Sequence, residues 1–149
     1  MTVTTANTPR VDFYHLRTGG IDQLLRFSCR LAEKAWKTGQ RVFLYTEDEN
    51  AARRLDNLMW SFSDSSFLPH CRQGDADEAD SAVLVGHHLI DTSHDLLINL
   101  SGQIPTLPGT FRRIAEIIDE TPATLESGRQ RYAAYKQREL PLNYHEIQV

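Results

Sequence analysis

Apolar residues recur along the chain in two alternating patterns, one typical of strands and the other of helices. The segment VDFYHL (11–16) is rich in β-branched and aromatic residues and ends at Thr18-Gly19-Gly20, as a strand followed by a turn would. From residue 21 to residue 38, apolar side chains return every three or four positions, which predicts an amphipathic helix. Gly39 then supplies a helix stop.

The same order of strand and helix follows immediately. Residues 41–45, RVFLY, are apolar nearly throughout, as in a strand that is covered on both faces. The next apolar stripe predicts a helix that ends near Trp60. Thr46 and Glu49 have the spacing of a capping box at its start, in which each side chain satisfies the other's free backbone N–H.

The second half of the chain contains further elements of both kinds. A Ser/Asp-rich loop and an acidic turn at 74–80 come first. Strands are then predicted at 81–86 and 95–100, and helices at 111–120 and from Ala123 to Arg138, interrupted by Pro122. The tail, residues 139–149, has no clear periodicity.

Alternating strands and helices favour right-handed crossovers and a mostly parallel sheet with helices on both faces. We therefore expect a three-layer α/β fold in a single domain that spans residues 1–149. Residues 1–10 form an N-terminal extension and residues 139–149 a C-terminal tail in this interpretation.

Composition narrows the class of protein. With 40% hydrophobic and 24% charged residues, the 149-residue chain is typical of globular proteins, and its net charge of −4 argues against wholesale non-specific binding to nucleic acid. It has no apolar run near 18 residues and no signal-peptide pattern, so no membrane contact is expected. Its two cysteines make no disulfide framework. We expect a reduced, cytoplasmic compartment.

Enzyme motifs are missing from the sequence. Gly19-Gly20 follows a strand and precedes a helix, but it lacks the spacing of a dinucleotide-binding or phosphate-binding loop. Adjacent histidines at a strand end, such as His87-His88, are expected to point to opposite sides, so one metal could hardly bind both. We expect no catalytic residues, no metal and no cofactor. A small α/β enzyme or nucleotide-binding domain remains the alternative.

One candidate docking surface lies in the loop after the second helix. The segment WSFSDSSFLPHC (60–71) is polar overall, yet it carries large apolar side chains at Trp60, Phe62, Phe67 and Leu68, followed by Pro69. Aromatic residues anchor protein interfaces because they bury a large area and lose little rotamer entropy. The alternative is that some of these side chains fold back and cap the sheet.

A second candidate surface lies on the last helix. Leu125, Arg129, Tyr132 and Lys136 fall on one face, and residues 129–138 hold four cations and no acid. Cations near a helix C-terminus are favoured by the helix dipole, which is the simpler explanation. Tyrosines between arginines also suit an acidic peptide with an aromatic side chain. Direct binding of single-stranded DNA by this helix is a third possibility.

Several segments together resemble the chi subunit family of bacterial DNA polymerase III holoenzyme, an accessory protein of the clamp loader. The most specific are EKAWKTGQRVFLYTEDENAARRLDNLMW, SFLPH, LLINL, and GRQRYAAYK with Tyr144-His145 after it. The resemblance runs from DFYHL to the tail, and the order and spacing of the segments carry it.

The resemblance implies a protein without catalysis that links two partners and touches nucleic acid only indirectly. One partner is psi, another small accessory subunit, whose contact in the family uses the positions of Trp60 and Phe67. The family also implies an iron–sulfur repair helicase as an alternative partner at the same surface.

The other implied partner is the C-terminal tail of single-stranded DNA-binding protein, an acidic peptide that ends in Pro-Phe. The resemblance places its site at Arg129 and Tyr132, with Thr121 on the wall. Family members carry further lysines there, where this chain has Leu125 and Ala133. Lys136 and Arg131 are expected to compensate.

Overall fold

A computed structural model of the chain describes residues 9–62, 68–74, 81–88, 94–105 and 111–148. Within these ranges, seven strands form one sheet and three helices pack against it. The elements in chain order are β1 Arg10–Leu16, α1 Ile21–Lys37, β2 Val42–Thr46, α2 Glu49–Met59, β3 Cys71–Arg72, β4 Val83–Gly86, β5 Leu96–Leu100, β6 Arg113–Ile118, α3 Pro122–Gln137 and β7 Leu142–Ile147.

The strands follow the order β3-β4-β2-β5-β6-β1-β7, and every described pairing is parallel. The predicted α/β class and the parallel sheet are therefore confirmed. β1 lies between β6 and β7, so Phe13 is paired with Glu116 on one side and with Tyr144 on the other. This register brings the end of the chain beside α3.

Each face of the sheet has its own apolar core. Leu24 and Cys29 of α1 and Leu55 of α2 pack onto one face together with inward residues of the central strands. Tyr135 of α3 packs onto the other face with Phe13 and Phe43, among others. The predicted three layers are thus two helices, the sheet, and one helix.

The helix predicted over residues 111–120 is wrong, because residues 113–118 form strand β6. Ile114 and Ile118 face α3, whereas Ala115 and Ile117 face α1. A strand that is buried on both faces reads as a continuous apolar run, and its isoleucines happened to fall at helical spacing.

No element was predicted for the tail, and residues 142–147 form the edge strand β7. Most of its residues are exposed, so no alternation of apolar and polar positions marked it as a strand. At the opposite edge, Cys71–Arg72 form the two-residue strand β3 in a segment that was expected to be loop.

Two helix starts differ from the sequence prediction. Asp48 caps α2, because its Oδ1 accepts a hydrogen bond from the backbone N–H of Ala51 at 2.8 Å. The predicted capping box is wrong, since the Thr46 hydroxyl instead donates to the carbonyl of Gly86 at 3.0 Å. Pro122 does not interrupt a helix but begins α3, where its missing N–H costs no hydrogen bond.

Candidate docking sites

A groove of about 490 Å³ lies between α3 and the strands β1, β6 and β7. Four of the five residues predicted for tail binding line it, namely Leu125, Arg129, Tyr132 and Lys136. The remaining lining residues are Phe13, His15, Ile118, Gly128, Ala133 and Tyr144. The structure thus brings one face of α3 together with residues from three strands, which periodicity along α3 alone could not indicate.

Gly128 sets the distance between α3 and the sheet. It is buried, and a Cβ atom at this position would lie 2.8 Å from Cγ2 of Ile118. Real Cβ atoms essentially never come that close. The helix therefore packs directly onto β6 at Gly128, and the groove opens beside this contact.

Three aromatic rings give the groove an apolar surface. The Tyr132 ring meets Phe13 edge to face, with ring centroids 5.2 Å apart. The same ring meets Tyr144 of β7 at 6.4 Å and 78°. Tyr144 is 48% exposed, so an incoming apolar side chain can contact it directly. Edge-to-face packing of this kind is favourable for aromatic pairs.

The charges at the groove are positive. Arg129 is 73% exposed, and Oε1 of the Glu126 carboxylate lies 4.0 Å from its Nη1. Lys136 is exposed as well. None of the ten lining residues carries a carboxylate. The guanidinium of Arg129 can therefore turn to an incoming anion at little cost.

His15 links Tyr144, which lines the groove, to neighbouring residues of the sheet. One ring nitrogen contacts the Tyr144 hydroxyl, and the other contacts the carboxylate of Glu120. Arg17 lies 3.6 Å from the same carboxylate. Burial and the nearby Glu146 carboxylate raise the pKa of Tyr144, so its phenol stays neutral. Sequence reasoning did not assign His15 or Tyr144 to the site, and only the Tyr144-His145 motif hinted at the latter.

Thr121, the fifth predicted residue, does not line the groove. It is the exposed residue that precedes the first turn of α3, and its backbone N–H donates to Oδ1 of Asp119 at 2.9 Å. Its role in binding stays a prediction.

Arg131 cannot compensate for missing lysines at the groove, because it is buried on the opposite side of α3. Its Nε donates to Oε1 of Glu116 at 2.9 Å, and its Nη1 donates to the carbonyl of Gly102. Tyr135 and Asn99 donate to the other oxygen of Glu116, at 2.6 and 2.7 Å. Burial raises the pKa of Glu116, and these donors oppose that shift. The network anchors α3 to the sheet.

The second candidate surface is smaller than predicted. Trp60 follows the end of α2 and is 61% exposed, and Pro69 is exposed as well. Phe62 and Leu68, however, are buried in the core beneath α1 and α2. These two side chains fold back onto the core, as the alternative had it, and they have almost no surface left to offer a partner. Phe67 lies outside the described residues.

The groove and the Trp60 surface lie at opposite edges of the sheet. Trp60 contacts His70, which directly precedes β3, the first strand in the order, and Tyr144 belongs to β7, the last. Six strand spacings separate these edges, which is roughly 30 Å at the usual spacing of parallel strands. The two candidate surfaces therefore do not overlap.

The Gly19-Gly20 turn, which bears on the enzyme alternative, has a hydrogen-bond partner within the chain. The backbone N–H of Gly20, at the start of α1, donates to Oδ2 of Asp119. The carboxylate of Asp119 therefore already occupies the position in which a phosphate would accept this hydrogen bond. Within the described ranges, no three His, Cys, Asp or Glu side chains converge on a possible metal position. No described helix is both long enough and apolar enough to cross a membrane.

Comparison with known proteins agrees with these observations. A family model described as "DNA polymerase III chi subunit, HolC" matches residues 8–143. The chain is 36% identical over 138 residues to DNA polymerase III subunit chi of Pseudomonas aeruginosa, covering 93% of this chain and 96% of that protein. It is 26% identical over 126 residues to subunit chi of Escherichia coli K12, covering 83% and 86%.

A solved structure, that of T4 UvsW, is similar in fold. It superposes on 97% of this chain with a TM-score of 0.69 at 10% sequence identity. The chain spans 42% of the length of that protein. At this level of identity the likeness concerns the architecture of the sheet and helices alone.

Proposed function

Since the chain belongs to the DNA polymerase III chi subunit family, we propose that it acts as a non-catalytic adaptor in the replisome. In this role it links psi, a clamp-loader subunit, to the C-terminal tail of single-stranded DNA-binding protein. The tail binds the groove beside α3, and psi binds the surface around Trp60. The chain works in the bacterial cytoplasm at replication forks, and it contacts DNA only through its partners.

The observation that carries the tail-binding part is the position of Arg129. An exposed guanidinium stands at the rim of an apolar groove formed by Tyr132 and Tyr144. Arginine can pair with the terminal carboxylate in a forked geometry, while the final Phe side chain packs on the aromatic rings. Both features of an acidic tail that ends in Pro-Phe are thus matched within one groove.

The expected affinity is micromolar. A charge-assisted hydrogen bond to a carboxylate contributes about 1.5–3 kcal/mol, and burial of a Phe side chain roughly 2–3 kcal/mol. The cost of ordering a flexible tail offsets part of this gain. A Kd of 1 μM corresponds to about −8 kcal/mol. Weak binding of a single tail is sufficient when the target presents many tails, because multivalent binding raises the overall affinity.

The proposal that psi binds around Trp60 is supported by the exposure of this side chain. An exposed tryptophan at the end of a helix is typical of residues that dominate the free energy of protein interfaces. Pro69 is exposed in the same segment. An iron–sulfur repair helicase could use the same surface in place of psi, and the two partners would then compete for it.

The groove can be tested by fluorescence anisotropy of a labelled tail peptide, with and without its final Phe. We expect micromolar binding that weakens with salt, because exposed charges are screened. Arg129→Ala should weaken binding at least tenfold, since it removes a charged hydrogen bond.

The matched control is Arg138→Ala, which removes the same charge from the end of the same helix but outside the groove. It should change binding less than twofold. Equal losses in both variants would show a general charge effect and contradict the groove. Saturable binding of ATP or NAD would instead favour the enzyme alternative.

A further inference from the structure

The Trp60 indole is exposed, yet it rests against another ring. We infer that His70 is a positioning residue for partner docking, which holds the indole of Trp60 in the orientation that a partner meets. The inference rests on the proposed role of the Trp60 surface and names the residue that prepares it.

The contact between the two rings is close. The ring centroids of Trp60 and His70 are 4.6 Å apart, with 52° between the ring planes. Their exposures are opposite, because the His70 side chain is 0% exposed whereas Trp60 is 61% exposed. The indole thus has one side supported by a buried ring and most of its surface open to solvent.

The His70 ring is itself fixed from two directions. Its Nδ1 donates to the carbonyl of Leu68 at 2.7 Å, and Leu68 is a core residue. Its Nε2 lies 3.1 Å from Oδ1 of Asp56, which belongs to α2 one turn before Trp60. The other oxygen of Asp56 lies 3.8 Å from Nε of Arg72 in β3.

These contacts make His70 a link between α2 and the segment that enters β3. Rotation of the ring would break the hydrogen bond from Nδ1 to Leu68 and leave a buried polar atom without a partner. The ring is therefore a rigid support. The indole that packs on it is therefore held in one orientation. Within the described residues, no aromatic ring other than His70 contacts the indole of Trp60.

A rigid anchor binds more tightly than a mobile one. A side chain that is free in the unbound protein loses rotamer entropy when an interface forms, and prior ordering removes that cost. Because an aromatic side chain has little rotamer entropy to lose, we expect loss of the His70 ring to weaken partner binding only about two- to threefold through this effect. The interface contacts of Trp60 itself would remain possible, so His70→Ala should cost less than Trp60→Ala.

The first test is independent of any partner. Trp36→Phe leaves Trp60 as the single tryptophan of the chain, and time-resolved anisotropy then reports the local motion of its indole. In this background His70→Ala should add a fast component and increase quenching by acrylamide. His70→Phe, which keeps a flat ring, should restore much of the wild-type anisotropy. His145→Ala, at the far edge of the sheet, should change nothing.

Asp56→Asn serves as a second variant if His70→Ala lowers the unfolding midpoint strongly. It keeps the His70 ring but weakens the contact at Nε2, and it should produce a smaller effect in the same direction. Unchanged anisotropy and quenching in folded His70→Ala would overturn the positioning role.

The second test measures affinity for psi by titration. Trp60→Ala should weaken binding more than His70→Ala, and His145→Ala should bind like wild type. If Trp60→Ala leaves binding unchanged, the proposed docking surface is wrong, whatever the fluorescence shows. If Trp60→Ala weakens binding while His70→Ala frees the indole and still binds like wild type, the docking surface stands and the positioning role fails.

Discussion

At the scale of single residues, Arg129 and Arg131 show how two equal side chains acquire different roles. They are two positions apart on α3, so the helical rotation turns them to different sides. Arg129 points to solvent at the groove and is 73% exposed. Arg131 is 6% exposed and forms an ion pair with Glu116 beneath the helix. The first is available to a ligand, and the second holds the helix in place.

His94 makes the stability of the fold depend on pH. Burial and the nearby Arg41 lower its pKa from 6.5 to about 4, so the folded protein carries it neutral. The unfolded chain takes up the proton first as pH falls. The contribution of His94 to stability is therefore fully present above about pH 6.5 and is lost between pH 6.5 and pH 4. We expect a loss of about 2 kcal/mol from pH 7 to pH 5.

Urea unfolding at the two pH values measures this loss, and His94→Gln is the control because it cannot titrate. The variant should show a smaller decrease than wild type by about 2 kcal/mol. Equal decreases in the two proteins would mean that other groups cause the pH dependence.

At the scale of elements, α3 and β6 depend on each other at Gly128. Gly128→Ala would place a Cβ 2.8 Å from Cγ2 of Ile118, so the helix would have to move outward. Overpacking costs about 1–3 kcal/mol, which exceeds the gain in helix propensity of about 1 kcal/mol. We expect a lower free energy of unfolding and weaker tail binding, since α3 forms one wall of the groove.

Denaturant unfolding of Gly128→Ala beside Gln130→Ala checks this expectation. Gln130 is exposed on the same helix, so its substitution should stay within about 0.5 kcal/mol of wild type. A Gly128→Ala protein as stable as wild type would show that α3 can shift without cost.

Periodicity predicted α1 and α2 well, because each presents one apolar stripe to one core. α3 was also predicted, although its buried side consists of Gly128, Arg131 and Tyr135 rather than an apolar stripe. It failed for β6, where both faces are buried and Ile114, Ile117 and Ile118 fall at helical spacing. It gave no indication of β7, an edge strand whose side chains are mostly exposed. A strand that is buried on both faces is apolar at nearly every position, and a strand that is exposed on both faces is polar at most positions. In both cases the alternation of apolar and polar residues that marks a strand is missing.

The candidate groove was predictable only in part for a related reason. Leu125, Arg129, Tyr132 and Lys136 share a helix face, which their spacing indicates. Phe13 and Tyr144 reach the same groove because β7 pairs with β1, and a pairing between strands so distant along the chain leaves no local signal. Glu116 was likewise placed in a helix, so its pairing with Arg131 could not be anticipated.

At the scale of the whole molecule, the two candidate surfaces lie at opposite edges of the parallel sheet. Its seven strands separate the Trp60 surface at β3 from the groove at β7. An adaptor needs this separation, because two partners that shared one surface would exclude each other. The central claim is therefore that both surfaces of one chain are occupied together.

The most direct test is a capture experiment in which immobilised psi retains single-stranded DNA-binding protein only when this chain is added. We expect capture with wild type and its loss with either Trp60→Ala or Arg129→Ala. A mixture of the two variants should not restore it, because each bridge needs both surfaces on the same chain. Capture that persists with either variant, or binding of one partner that displaces the other, would contradict the adaptor.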